Sequence, residues 1–221
     1  VRAVMDAVNA HADRTGKKVM FAFTLTGAFD EMRRRHDEVL TAGGTCIMVS
    51  LNSVGVPGLV EIRRHSQLPI HAHRNGWGML SRSPAVGMSY LAYQKFWRLA
   101  GADHMHVNGI RNKFCEPDES VIASARECLS PMFDGHGRGC EVMPVFSSGQ
   151  WAGQAIDTYN ALGSSDLIFA AGGGIMAHPG GIAAGVNSIR QAWNAALQGQ
   201  SLEQAAREHQ ELRQAVETFG R

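Results

Sequence analysis

No apolar run in this chain is long enough to cross a bilayer, and no secretory pattern opens it, so the expected setting is the cytoplasm, with no membrane partner. Charge of one sign is also missing. Lysine plus arginine number 21 and aspartate plus glutamate 20, a formal net charge of +1. That balance gives no footing for nucleic acid or an anionic surface. Cysteine is scarce and unpaired in pattern: Cys46, Cys115, Cys128 and Cys140 contain no CxxC spacing, which excludes a disulfide framework and a zinc knuckle. Carboxylates are absent from the ends of the predicted strands. No acid pair for glycoside hydrolysis and no oxygen-rich magnesium site can therefore be assembled from those ends. Low complexity and internal repeats are absent too.

What remains is an ordinary globular composition, 44% hydrophobic and 19% charged over 221 residues, enough for a sizeable core. Short apolar runs alternate with longer amphipathic ones. Strands are predicted at Lys18–Leu25, Thr45–Ser50, Leu68–His71, His104–Val107, Glu141–Phe146 and Leu167–Ala171. Most are continuously apolar, as strands buried on both faces are. Helices are predicted at Arg2–Asp13, Asp30–Ala42, Val56–Ser66, Pro84–Ala100, Asp118–Leu129, Gly153–Leu162, Gly181–Leu197 and Ser201–Thr218. Pro84 suits a first helical turn, and Gly16, Gly43, Gly101 and Gly163 suit helix stops. Successive βα units without a hairpin signal give a parallel α/β protein, either a doubly wound sheet or a barrel. Polar residues at nearly every strand end favour the (β/α)8 TIM barrel, whose site draws on many strand ends. About six of its eight units are visible. Because the chain opens at Val1 inside a helical pattern, residues 1–221 are expected to be a barrel domain incomplete on its N-terminal side.

The segment FAAGGGIMAHP, from Phe169 to Pro179, runs from a strand into three glycines. Bare backbone amides there, with a helix start behind them, suit a small anion. Ser147, Ser148 and Gly149 close the preceding strand in a similar way, and two such strand ends side by side form a phosphate cradle. A phosphorylated small molecule is the expected ligand. His71 and His73 share one face of their strand, and His104 and His106 repeat the arrangement. Either pair could start a metal site, but no third ligand is evident; one histidine of each pair is expected in the core. Arg74 has the planar, permanently charged fork that suits phosphate, or alternatively a structural carboxylate. Lys113, in a loop with Gly109 and Asn112 and few apolar anchors, is either a solvated surface lysine or a group that a mobile loop brings to a developing anion. Arg33, Arg34 and Arg35 make a solvated helix face. Trp97 belongs to a core stripe, whereas Trp77 and Trp151, at strand ends, could wall a pocket.

HAHRN, RLAGADHMHVNGIRNKF, PVFSSG and AAGGGIMAHPGG, in this order, resemble the large-chain family of ribulose-bisphosphate carboxylase, and in particular its non-carboxylating, RuBisCO-like members. The resemblance covers roughly Leu68–Leu197. It implies a (β/α)8 barrel preceded by a small α+β domain, in a homodimer or higher homo-oligomer. His73 would then lie against sugar hydroxyls and take part in proton transfer. Arg74 and His106 would bind one phosphate end, with Ser147 touching the substrate nearby. Gly149, Gly172 and Gly173 would give amides to the other phosphate, and Lys113 would meet a carboxylate. The family's Mg2+ sits on a carbamylated lysine and two carboxylates from strands this chain does not contain, so these ligands are expected upstream of Val1. Trp77 stands where carboxylases have a phosphate-holding histidine, Asn108 replaces a glycine, and Ser148 replaces another. The resemblance therefore implies an enzyme that enolises or decarboxylates a phosphorylated keto-sugar acid rather than a true carboxylase. The alternatives are an isomerase or enolase acting on a methylthio-sugar phosphate in sulfur salvage, and a non-catalytic protein that binds a phosphorylated ligand.

Overall fold

The computed structural model describes residues 1–83, 85, 87–113, 116–135 and 139–220. Pro84 and Cys115, singled out above, lie outside the described residues. The chain divides into two compact units, Val1–Met105 with Ser130–Val142, and His106–Leu129 with Met143–Arg221.

The first unit opens with α1 (Arg2–Thr15), closed by Gly16 in the left-handed region at φ 68°. Then follow β1 (Ala22–Thr24), α2 (Phe29–Thr41), β2 (Cys46–Ser50), α3 (Leu51–His65), β3 (Ile70–His73), α4 (Gly78–Ser81), α5 (Tyr90–Leu99) and β4 (His104–His106). Asp30 and Glu31 sit in the first turn of α2, where negative charge complements the helix dipole. The predicted start of α3 at Val56 has a physical counterpart. Gly55 breaks the helix at φ 67° and ψ 172°, and Pro57 then occupies the first turn of the portion beyond the kink. Helix α5 starts at Tyr90, where Ser89 caps it by accepting the N–H of Ala92. Pairing is parallel throughout: Ile47 opposes Ile70, Ser50 opposes His73, and His71 opposes His104. Strand β3 runs to His73, two residues past its predicted end. Its entrance is fixed by Asp103, whose Oδ2 accepts from Arg63 Nη1 and from the Ile70 N–H, both at 2.7 Å. The core under this sheet is Ile47, Val49, Leu59, Ile62, Ile70 and Met105, each at most 1% exposed. Arg98 is buried, and its guanidinium donates to the carbonyls of Ser130 and Cys140, fastening that segment to α5.

The second unit contains α6 (Asp118–Leu129), β5 (Met143–Phe146), a 3-10 turn (Ala152–Gln154), α7 (Ala155–Leu162), β6 (Ile168–Phe169), α8 (Gly172–Met176), α9 (Gly181–Leu197), α10 (Leu202–Glu208) and α11 (Gln210–Phe219). Val107 N–H reaches Val145 O at 3.0 Å, and β5 pairs with β6 in parallel, Phe146 opposite Phe169. The last predicted helix is two helices. His209 is extended at φ −122°, and the bend seats Leu212 and Ala215 among Ala155, Ala192, Ala195 and Ala205. Alanines let these backbones approach closely, and Trp151, Trp193 and Phe219 fill the margin.

The strands follow the order β1-β2-β3-β4-β5-β6, sequence order with a helix between neighbours. This is the topology of a (β/α)8 barrel, of which the described residues supply six strands.

Candidate functional site

In the first unit, alternation along β3 places His71 and His73 on one face. His71 lies beside His104, ring centroids 5.6 Å apart and nearly perpendicular. Burial, with the neighbouring imidazoles of His104 and His73 adding to it, pushes His71 down to about 4; burial lowers His104 as well. His71 is the buried member of its pair, and the half-buried ring of His104 meets it edge to face. His73, at the open end of β3, is half-buried, and burial lowers it too. Its Nδ1 lies 3.0 Å from the Asn75 backbone nitrogen and 3.2 Å from Asn75 Oδ1, so Asn75 holds the ring from both its main chain and its side chain. Arg74 is 7% exposed, with its guanidinium carbon 4.7 Å from the centroid of Tyr90. Trp77 is equally sequestered, its indole against Tyr90 at 5.1 Å and Tyr93 at 4.6 Å.

Among the described residues one group has metal-ligating atoms close together: His36, Asp37 and His65. Those atoms are already bonded to one another. Asp37 Oδ1 lies 2.9 Å from His36 Nδ1 and 2.7 Å from His65 Nε2. His36 Nε2 accepts the Gln67 N–H at 3.4 Å, so the proton resides on Nδ1 and points at Asp37. The cluster is a carboxylate-bridged histidine pair fastening α2 to α3, and both hydrogen bonds hold the Asp37 carboxyl below its usual range.

In the second unit, His106 ends β4 and its Nδ1 lies 3.1 Å from Ser147 Oγ. Ser147 N–H donates to Asn108 O at 3.0 Å, and Lys113 N–H donates to Ser148 O at 3.1 Å. The Lys113 loop therefore lies on the turn Ser147–Gly149. Gly149 has φ 85°, and a Cβ built there would stand 3.4 Å from Lys113 Cβ. The loop is better anchored than its sequence suggests, because Ile110 is only 4% exposed and its carbonyl accepts from Gln150 Nε2 at 3.1 Å. After β6 the glycines do not form a loop ahead of a helix; they are the helix. Gly172 and Gly173 begin α8, so their amides have no partner within it, and a Cβ on either would meet nothing within 4 Å. Gly174 is different: a Cβ there would lie 2.7 Å from Trp151 Cα, which holds α8 against the Gln150–Trp151 segment. Trp151 itself packs on Phe219 at 5.8 Å, inside the C-terminal helical cluster.

The structure thus brings His106, Ser147, Gly149 and Lys113 together in the second unit, and it places His73 and Arg74 at the end of β3 in the first. Sequence reading missed the work of Gln150 and of Asn108, whose side chain bonds Glu116 and Ser148, because no periodicity reveals such side-chain bonds. No strand among the described residues ends in a carboxylate, so these ends do not make the oxygen donor set that magnesium takes. A cleft of about 500 Å³ beside α6 and α7 is lined by Arg111, Asp118, Arg126 and Asp157. Arg111 is paired there with Asp157 at 2.7 Å, and Arg126 donates to Ala161 O.

Residues 1–219 match the family model of the ribulose bisphosphate carboxylase large chain, catalytic domain. The chain is 58% identical over 216 residues to a 3-oxo-isoapionate-4-phosphate transcarboxylase/hydrolase of Xanthobacter autotrophicus, covering 98% of this chain and 52% of that protein. It is 48% identical over 221 residues to a 3-oxo-isoapionate-4-phosphate decarboxylase of Rhizobium etli, covering 99% of this chain and 52% of that protein. The crystal structure of a rubisco-like protein from Burkholderia fungorum superposes with a TM-score of 0.94 at 50% identity, over 99% of this chain and 54% of the other. The chain therefore spans about half the length of the relatives it matches, and it belongs to the ribulose-bisphosphate carboxylase large-chain family.

Proposed function

We propose that the complete protein removes the carboxyl group of a phosphorylated 3-oxo sugar acid, with 3-oxo-isoapionate 4-phosphate as the first substrate to test. The observation that supports this reading is the docking of the Lys113 loop on the Ser147–Gly149 turn, the turn read here as part of the phosphate cradle. The names of the relatives at 58% and 48% identity supply the substrate. In this reading Gly149, Gly172 and Gly173 give backbone amides to the phosphate, and α8 directs its positive end there. Lys113 orients the substrate carboxylate; as the C–C bond breaks, CO2 leaves and the bonding pair passes onto the adjacent 3-oxo oxygen as an enolate, which is then protonated at carbon. His106 and Ser147 contact the sugar chain. His73, held by Asn75 at the end of β3, lies against the sugar hydroxyls and takes part in moving protons at the enediolate. Arg74, whose guanidinium lies over Tyr90, supplies a permanent positive charge for anionic oxygen.

Mg2+ belongs to the proposal for the complete protein, but this chain's strand ends do not fit it, and no step above passes through it. A homo-oligomer is proposed on the likeness to family structures described as dimeric or octameric, at 30% and 29% identity.

The test uses the full-length protein and substrate labelled in its carboxyl carbon. Release of labelled CO2 supports decarboxylation. Label retained in a second organic product would support the transcarboxylase/hydrolase reading, which the 58% identical relative favours. Proton exchange without loss of label would overturn both and point to an isomerase or enolase, and binding without any turnover would point to a phosphate-ligand binder.

A further inference from the structure

The two described ends of the Lys113 loop are joined by side-chain bonds, and one residue carries them over to the neighbouring turn. Asn108 Nδ2 donates to Glu116 Oε2 at 2.7 Å. The oxygen of the same carboxamide, Asn108 Oδ1, accepts from Ser148 Oγ at 2.7 Å, so Asn108 holds the turn after β5 as well. Glu116 is fixed in its turn: Ser120 Oγ donates to its other carboxylate oxygen at 3.1 Å. Asn112 Nδ2 donates to Gly109 O and Glu116 O, each at 3.0 Å, across the neck of the loop. Asn108 and Ser148 both occupy the left-handed region, at φ 70° and 71°. Asparagine tolerates that conformation; serine adopts it rarely. Asn108 is 2% exposed. A carboxamide of this length is suited to the place, because it must accept from a hydroxyl and donate to a carboxylate at once. Aspartate would repel Glu116, and glycine would make neither bond.

We propose that Asn108 is a positioning residue: through Ser148 and Glu116 it docks the Lys113 loop on the Ser147–Gly149 turn by contacts within the chain alone, and so sets where the lysine stands. Its effect on turnover rests on the function proposed above; the docking itself does not.

Two variants test it in the full-length protein. Asn108→Gly accepts the same φ and removes both bonds. Ser148→Gly, where glycine also suits the backbone, removes one and guards against a folding defect in the first. Backbone amide exchange is measured without added ligand. Exchange at residues 109–113 is expected to rise by about tenfold or more in Asn108→Gly and less in Ser148→Gly, with α9 unchanged. Turnover of 3-oxo-isoapionate 4-phosphate is then compared in a double-mutant cycle. Asn108→Gly should lower kcat by about tenfold or more, with little change in KM, when Lys113 is present, and should have no further effect once Lys113 is methionine. Unchanged exchange in both variants would overturn the proposal, and so would an Asn108→Gly penalty that is the same with and without Lys113. Should the parent protein leave this substrate untouched, the functional reading falls and the exchange measurement alone decides the docking.

Discussion

His71 shows how far one residue's environment departs from its type. In sequence it is half of an HxH pair; in the sheet it is a neutral ring packed edge-on against His104. Its folded-state pKa of about 4 lies below the ordinary 6.5. The sign of the consequence follows from proton counting. Between pH 6.5 and 4 the unfolded chain takes up a proton that the folded chain refuses, so stability falls as the pH falls. The contribution is intact above about 6.5 and lost by about 4, and it amounts to at most about 3 kcal/mol. Burial lowers His104 in the same direction. His71→Phe keeps an aromatic ring at the site and removes the titration. Denaturant melts across this range should show a shallower acid loss for the variant than for the parent. Equal slopes would mean that His71 takes up its proton without unfolding.

At the scale of elements, the helix that begins at Gly172 separates two roles that look identical in the triplet GGG. Gly173 faces open space, whereas Gly174 touches Trp151 and Gln150. Gly173→Asp should therefore leave Tm within a degree or two, yet weaken binding of phosphate or a phosphorylated ligand by roughly a hundredfold or more, because it brings a carboxylate to the cradle. Gly174→Ala should do the reverse, costing about 1–3 kcal/mol of stability as α8 is pushed off the Gln150–Trp151 segment. Isothermal titration with phosphate and thermal melts separate the two, and a Gly173→Asp variant that binds like the parent would move the cradle elsewhere. The contrast also marks the limit of sequence reading. Parallel βα units were legible because β2 and β5 are short, largely apolar runs between amphipathic helices, and the turn from β6 into a glycine-led helix was legible from the triplet after a strand. The break at His209 was not, because the amphipathic pattern continues across it and only the seating of Leu212 and Ala215 bends the chain. Nor was the Asn108–Ser148 bond, which joins residues 40 apart in sequence through left-handed backbone.

At the scale of the whole molecule, the chain supplies phosphate-type and proton-bearing groups but no carboxylate at its described strand ends. That inventory bears on what the complete protein will not do. By the sequence resemblance Trp77 is expected where carboxylases of the family have a phosphate-holding histidine; it offers a single indole N–H, and its ring is buried against Tyr90 and Tyr93. Tyr90 also lies under the guanidinium of Arg74, so this region of the first unit is an aromatic cluster with one cation seated on it. A sugar with phosphates at both ends needs cationic or donor groups for each, and the exchange of imidazole for indole removes a donor and fills room at one of them. The complete protein, given magnesium and labelled bicarbonate, is therefore expected not to fix label onto ribulose bisphosphate at a meaningful rate, while still releasing CO2 from a phosphorylated 3-oxo acid. Trp77→His supplies the internal control. Restoring the imidazole should raise affinity for ribulose bisphosphate, read by displacement of a bisphosphate inhibitor, whether or not any carbon is fixed. Labelled phosphoglycerate from the parent protein would show that the aromatic cluster leaves room for the second phosphate and would overturn the assignment of this chain to the non-carboxylating branch.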